Sequence, residues 1–146
     1  MARSLPDGRE AAFIAAQRVA HLATAGAHGE PSLVPVCYAW DGARFFTPID
    51  EKPKRRDRPL RRVRNVEATG RAALVFDHYE EDWDRLGWVL VRGAAEMLAP
   101  GAPGHTEAVA LLRARYPQYR AMALEAAPLI AITPEQVTSW GRLSVG

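Results

Sequence analysis

The chain has 146 residues, a formal net charge of +2 and 48% apolar residues, which excludes a disordered, collagen-like or disulfide-rich chain. At this length we expect a single domain over residues 1–146. The only cysteine, Cys37, cannot form an intramolecular disulfide or a cysteine-based zinc cage. The apolar runs are shorter than the ~20 residues of a membrane-spanning helix, and the first residues lack the apolar stretch of a signal peptide. We therefore expect a cytoplasmic protein without a membrane segment.

Hydrophobic periodicity predicts short strands interrupted by a few helices. In chain order we predict a helix over 10–18, strands over 19–25, 31–40 and 43–48, a helix over 59–68, strands over 71–78 and 87–98, helices over 103–116 and 119–126, and a final strand pair or one bent strand over 129–132 and 137–140. Asp41-Gly42 is a strong hairpin signal. Pro35 predicts an edge strand, a bulge or an unusual neighbour, and Gly93 suggests a bulge.

This order favours an antiparallel barrel, mainly β with helices (the α+β class), over a doubly wound α/β sheet. The chain has neither a glycine-rich turn of the dinucleotide-binding type nor a phosphate-binding P-loop motif. No serine or cysteine lies in the context of a hydrolase nucleophile. His78 is the one imidazole in an acidic run at 77–84, which does not make a ligand set, so we predict no metal site.

The charges are distributed unevenly. Residues 52–64 contain eight basic side chains and one acid, a net +7, which leaves the remainder of the chain at −5. Such a focused segment suits a phosphate or a carboxylate-rich ligand, because arginine offers planar paired donors. A solvated helix face and a nucleic-acid surface remain as alternatives. The five acids at 77–84 and the lack of aromatic residues among the arginines argue against nucleic acid.

Several segments together resemble the split β-barrel superfamily of pyridoxamine 5'-phosphate oxidase, in particular its small branch that depends on the deazaflavin coenzyme F420. They are VAHLATAGAHGEPSLVPVCYAWDGARFFTPID at 19–50, EKPKRRDRPLRRVRNVEATGRAALVFDHY at 51–79, WVLVRGAAEML at 88–98, RARYPQYRA at 113–121 and ITPEQVTSWGR at 132–142. The resemblance implies an antiparallel six-stranded split barrel. It also implies a homodimer with two cofactor sites at the dimer interface.

The resemblance also implies which residues bind the cofactor. Pro35, Val36 and Cys37 would lie against the ring system, and Thr47 would contact the cofactor through its hydroxyl or backbone. Trp88 stands where flavin-binding relatives have a polar residue, which suggests stacking. The remaining matches are a basic phosphate-binding loop, Lys52, Lys54 and Arg55, and a C-terminal pair that can reach the partner's cofactor, Trp140 and Arg142.

The expected activity is hydride transfer from reduced F420 to a small unsaturated or quinone-like substrate. The rich supply of arginines favours F420, with its phosphate and glutamate tail, over FMN. No general acid is identifiable, and the proton could come from solvent, Tyr38 or Tyr79. The alternatives are an FMN-dependent oxidoreductase, a protein that only stores a cofactor such as flavin or haem, and a nucleic-acid-binding module.

Overall fold

Seven antiparallel strands form one sheet within the part of the chain that the computed structural model describes, residues 3–49 and 60–144. The strands are β1 (Ala20–Ala25), β2 (Pro31–Val36), β3 (Ala39–Trp40), β4 (Phe45–Pro48), β5 (Arg71–His78), β6 (Gly87–Leu98) and β7 (Leu129–Gly141). The helices are α1 (Gly8–Ala16), α2 (Arg61–Thr69) and α3 (His105–Arg115), with 3-10 turns at Trp83–Arg85, Pro117–Ala121 and Leu124–Ala126. The α+β class is confirmed.

The sheet closes into a barrel because its two edges are consecutive in the chain. The strand order is β2-β1-β5-β6-β7-β4-β3, so β2 and β3 lie at opposite edges. Only Cys37 and Tyr38 separate these strands in sequence, so Val36 and Ala39 lie within ~11 Å of each other. The sheet therefore curls so that its two edges approach each other. Pro35 lies on edge strand β2, the first of the three places that its missing N–H predicts.

The prediction of six strands is wrong by one, because the single strand predicted over 31–40 is two strands. Tyr38 breaks it: its side chain is buried, and its hydroxyl donates towards the backbone carbonyls of Ile14 and Gln17. The backbone N–H of Tyr38 donates to the hydroxyl of Tyr116 at 3.2 Å instead of to a strand. Hydrogen bonds between Tyr38, the carbonyl of Ile14 in α1 and the hydroxyl of Tyr116 directly after α3 thus replace the hydrogen bonds of a strand pair at this point.

The strands predicted over 71–78 and 87–98 have those bounds in the structure, and the C-terminal segment is one strand. The pairing between β6 and β7 shifts register between Arg92 and Gly93, which confirms the predicted irregularity. A Cβ atom at Gly93 would lie 2.0 Å from the carbonyl oxygen of Thr133, so only glycine allows this close approach.

Strand β7 contributes to two apolar cores through the alternation of its side chains. Ile130 and Ile132 face the barrel interior, which also contains Phe76 and Val91. Leu129 and Ala131 point the other way, into a cluster that α3 covers with its apolar side chains. Each fully buried leucine or isoleucine contributes ~1.5–3 kcal/mol. This two-sided burial holds β7, and with it β4, in place.

Helix α1 is attached to β7 through a buried carboxylate. Asp7 caps the helix and forms a capping box with Glu10, which is fully buried. Glu10 forms an ion pair with Arg3 and accepts a hydrogen bond from Ser139 of β7 at 2.5 Å. The hydrogen bond from Arg3, helped by Ser139 and the backbone of Asp7, outweighs burial and lowers the pKa of Glu10 to about 2.

Among the described residues, none of the helices has the length and apolar character that would let it cross a membrane.

Candidate functional site

A cleft opens in the barrel wall where β3 stops pairing with β4. Strand β3 pairs only with Phe45 and Phe46, so the next residues of β4, Thr47 and Pro48, lack this neighbour. The chain between β2 and β3 diverges here, at Cys37. We call the resulting gap, of about 150 Å³, the Thr47 cleft. Its lining residues are Val19, Pro35, Val36, Cys37, Thr47, Pro48 and Arg62.

Four of the predicted cofactor-binding residues therefore share one site. Pro35, Val36 and Cys37 form one side of the Thr47 cleft, and Thr47 forms the other. They come from segments about ten residues apart in sequence, and the hairpin through Asp41 and Gly42 brings them together. Asp41 accepts hydrogen bonds from the backbone N–H groups of Ala43 and Arg44 in that turn.

Thr47 brings an unsatisfied polar group to this cleft. Its side chain is 1% exposed, and its hydroxyl has no hydrogen-bond partner within residues 3–49 and 60–144. A buried polar atom without a partner costs ~1–3 kcal/mol, so such atoms are rare outside functional sites. The hydroxyl is therefore suited to bind a ligand that enters the cleft.

Arg62 contributes a positive charge to the same cleft. Its residue is 6% exposed and lies in the first turn of α2, at the C-terminal end of the basic segment 52–64. The helix buries Asn65 and Val66 on this face, and Asn65 donates to the hydroxyl of Thr24 at 3.0 Å. Arg61 and Arg64 are exposed. A buried guanidinium at a helix N-terminus favours an anionic ligand group.

The predicted phosphate-binding residues Lys52, Lys54 and Arg55 lie outside the described residues. The described residues on the two sides of that segment include Pro48 and Arg62, and both line the Thr47 cleft. The assignment of the three basic residues to a phosphate stays a prediction.

The other predicted residues lie at the opposite end of β7. Trp88 of β6 pairs directly with Trp140 of β7, and Trp140 is 53% exposed. Thr47 pairs with Ile130, ten positions earlier on β7, so about 30 Å of strand separates the two places. Arg142 lines another cleft, together with His78 and Glu80. Within a single chain, Trp88, Trp140 and Arg142 therefore lie away from the Thr47 cleft.

Tyr38 does not fit the role of proton source. Burial raises the pKa of its hydroxyl, which is engaged with the carbonyls of Ile14 and Gln17. Tyr79 is exposed in the loop after β5, outside the Thr47 cleft. Within the described residues, no group of three or more His, Cys, Asp or Glu side chains is arranged to hold a metal ion.

Sequence reasoning did not single out Val19, Pro48 or Arg62 as site residues. Arg62 was one of many arginines, and its only distinguishing signal is that it shares a helix face with the apolar Val66, four residues on. Val19 and Pro48 offer carbon surface alone, and only the folded barrel shows that they line the cleft.

The strand order and the split beside β4 define the molecule as an antiparallel split β-barrel of the α+β class. The chain belongs to the pyridoxamine 5'-phosphate oxidase family, an oxidoreductase-type family whose sequence profile matches residues 7–141. The family membership expected from the sequence is thereby confirmed. A relative from Streptomyces rimosus, a 5a,11a-dehydrotetracycline/5a,11a-dehydrooxytetracycline reductase, is 31% identical over 134 residues. This match covers 91% of this chain and 81% of the relative.

Solved structures with the same fold include three informative neighbours. Rv2991, a conserved hypothetical protein from Mycobacterium tuberculosis, has a TM-score of 0.73 at 22% identity and covers 100% of this chain and 97% of its own. A FAD-binding protein from Mesorhizobium loti has a TM-score of 0.69 at 23% identity and covers 95% of both chains. An F420 reductase has a TM-score of 0.62 at 22% identity and covers 92% of this chain and 98% of its own. At these identities the likeness establishes the fold.

Proposed function

We propose that this protein is an F420-dependent oxidoreductase that reduces a small unsaturated or quinone-like substrate, and that it acts as a homodimer. The observation that carries the proposal is the Thr47 cleft, which is lined by a buried arginine and by a buried threonine whose hydroxyl has no partner among the described residues. The Streptomyces rimosus relative, a reductase, and the neighbour that is an F420 reductase support the same reaction class.

The described residues fit a flavin-type cofactor with an anionic tail. The Thr47 hydroxyl can hydrogen-bond a polar edge or hydroxyl of such a molecule, and Arg62 can stabilise a negative charge. Pro35 and Val36 provide an apolar surface that excludes water from one side of the cleft. When bound, reduced F420 would supply a hydride to the unsaturated group of the substrate, and a proton from solvent would complete its two-electron reduction.

A second copy of the chain would complete the site. The cleft volume of about 150 Å³ is below the ~300–1,000 Å³ of typical ligand pockets, so it holds only part of a coenzyme of this size. Trp140 and Arg142, which are exposed at the far end of β7, are available to a partner chain. We propose that Lys52, Lys54 and Arg55 bind the coenzyme's phosphate and that Trp88 approaches its ring system from the second copy of the chain.

The test is a calorimetric titration of the purified protein with F420, FMN and haem separately. We expect micromolar F420 binding that weakens as salt concentration rises, since charged contacts are screened. The double variant Lys54→Ala/Arg55→Ala should lose about tenfold or more in affinity, as expected for the loss of charged hydrogen bonds. The control variant Arg120→Ala changes an exposed arginine outside the Thr47 cleft and should bind F420 as the parent does.

Three outcomes would contradict the proposal. Tight binding of FMN in preference to F420 would indicate a flavin oxidoreductase instead. Binding of haem alone would indicate a storage protein. Binding of single-stranded oligonucleotides with no effect of any of the three cofactors would favour a nucleic-acid-binding module.

A further inference from the structure

A second and larger cleft adjoins the Thr47 cleft. Val19 and Cys37 line both of them, so the two clefts share a wall. The second cleft, which we call the Met122 cleft, has a volume of about 400 Å³, within the ~300–1,000 Å³ range of small-molecule sites. It lies beneath the 3-10 turn that follows α3.

The walls of the Met122 cleft suit a flat, largely apolar molecule. The rings of Tyr116 and Tyr119 form part of the lining, with centroids 5.5 Å apart and planes inclined by 66°. Met122 contributes a flexible and polarisable side chain that adapts to aromatic surfaces. The carbon surface of Val19 completes this apolar lining.

The polar edge of the cleft is cationic. Arg18 lines it and is exposed, and its guanidinium lies 4.7 Å from the ring centroid of Tyr116. One Nη2–H of Arg18 donates to the carbonyl of Arg115 at 2.6 Å, which leaves most of its five N–H donors for other partners. No ion pair joins Arg18 to any acidic residue in the described ranges 3–49 and 60–144. This positive charge, which has no acidic partner among the described residues, favours an anionic ligand group.

We propose that the Met122 cleft binds the substrate, and that the substrate is a planar aromatic molecule with an acidic group ionised at neutral pH. Arg18 binds the anionic group and Met122 packs against the ring system. The inference rests on the proposed function, because the shared wall at Val19 and Cys37 places this molecule beside the cofactor in the Thr47 cleft. Gln118, at the exposed rim, is positioned to hydrogen-bond a further polar substituent.

The test uses a matched pair of unreactive probes, the anion 2-naphthoate and its neutral analogue 2-naphthamide. Binding is measured by calorimetry and by the rate at which iodoacetamide alkylates Cys37, the only thiol of the chain. We expect 2-naphthoate to bind more tightly than 2-naphthamide, and to slow the alkylation of Cys37. Arg18→Gln should lower the affinity for 2-naphthoate about tenfold and leave the affinity for 2-naphthamide unchanged. Arg18→Lys should restore part of the lost affinity for 2-naphthoate.

Met122→Trp fills the cleft and should abolish the binding of both probes. The matched control is Ala110→Trp, which also introduces a tryptophan, at an exposed position of α3 that lines neither the Met122 cleft nor the Thr47 cleft. It should bind both probes as the parent does. The substrate assignment fails if 2-naphthoate does not bind, if Met122→Trp binds it normally, or if Arg18→Gln weakens both probes equally.

Coenzyme binding is measured separately on the same variants. Met122→Trp should bind F420 with the affinity of the parent, since this residue lies outside the Thr47 cleft. Failure of the parent protein to bind F420 would overturn the proposed function, whatever the probes do. Competition between F420 and 2-naphthoate would overturn the substrate assignment alone, because it would place the coenzyme in the Met122 cleft.

Discussion

At the scale of single residues, Thr47 is the clearest sign of a ligand site. Its hydroxyl is buried beside the cleft and lacks a partner within the described part of the chain, whereas the buried hydroxyl of Thr24 accepts a hydrogen bond from Asn65 at 3.0 Å. Both threonines are buried. The same residue type therefore serves the fold at position 24, whereas at position 47 it belongs to the proposed ligand site.

The variant Thr47→Val tests this difference, because it keeps the shape of the side chain and removes the hydroxyl. We expect the free energy of unfolding of the ligand-free protein to stay the same or rise, since an unsatisfied polar atom is lost. Affinity for F420 should fall roughly three- to tenfold, the value of one neutral hydrogen bond. Urea unfolding and calorimetric titration measure the two quantities.

Thr24→Val is the matched control for that experiment. It leaves the side-chain amide of Asn65 without its acceptor, so the protein should become less stable while its affinity for F420 stays unchanged. A loss of stability in Thr47→Val with normal F420 binding would show that the Thr47 hydroxyl has a structural role.

At the scale of elements, α1 and β7 are coupled through one carboxylate. Glu10 joins the helix to Arg3 and to Ser139 of β7, and the backbone of Arg3 pairs with Val137 of the same strand. Ser139 precedes Trp140, the residue proposed to reach a partner's site. The attachment of α1 therefore also restrains the end of β7 that presents Trp140.

The lowered pKa of Glu10 predicts how this attachment depends on pH. Its pKa is about 2 in the folded protein, below the ordinary value of 4.5. The carboxylate therefore stabilises the fold fully above pH 4.5, and this contribution is lost as the pH falls towards 2. A shift of this size corresponds to roughly 3 kcal/mol.

Urea unfolding at several pH values tests the attachment in the variant Glu10→Gln. At neutral pH the variant should be less stable than the parent, and its stability should change less between pH 5 and pH 2. Glu107→Gln, on the exposed first turn of α3, is the control and should follow the parent. Identical pH profiles for Glu10→Gln and the parent would contradict the role given to this carboxylate.

At the scale of the whole molecule, the two groups of predicted site residues lie at opposite ends of β7. The end that carries Trp140 also exposes Tyr79 and Trp83, which are 62% and 69% exposed. Acidic residues cluster in sequence around Trp83, while the basic residues lie in the segment 52–64. Exposed aromatic side chains beside acidic residues suit contact with another copy of the chain.

Mixing two defective chains tests whether each site draws on both copies. We expect Lys54→Ala/Arg55→Ala and Trp140→Ala each to bind F420 weakly as pure dimers. Unfolding and refolding them together should restore a fraction of sites with the parent's affinity, because a mixed dimer has one site with neither defect. A chain that carries all three substitutions, refolded with either variant, is the control and should restore none.

Sedimentation of the parent protein accompanies the mixing experiment. A monomer at micromolar concentration, or a mixture without any recovered sites, would contradict a shared site.

The sequence by itself determined the strands with strong local patterns and the family. The apolar runs of β5 and β6 have the bounds that their periodicity predicts, and Pro35 lies on an edge because it lacks an N–H donor. The family resemblance also directed attention to Pro35, Val36, Cys37 and Thr47, which do share one cleft. The strand bounds and the edge position of Pro35 depend on residues that are close in sequence, so local chemistry is sufficient to predict them. The family resemblance depends on several segments in a fixed order along the chain.

Only the tertiary structure decided the break at Tyr38, the seventh strand, the place of Arg62 and the distance between Thr47 and Trp140. Each depends on contacts between segments far apart in sequence: Tyr38 bonds to α1 and Tyr116, and Arg62 lies beside β2 only after the barrel closes. The Met122 cleft is of the same kind, because its walls come from residues around positions 18, 37 and 116–122. Closure of the sheet, and not local propensity, brings these surfaces together.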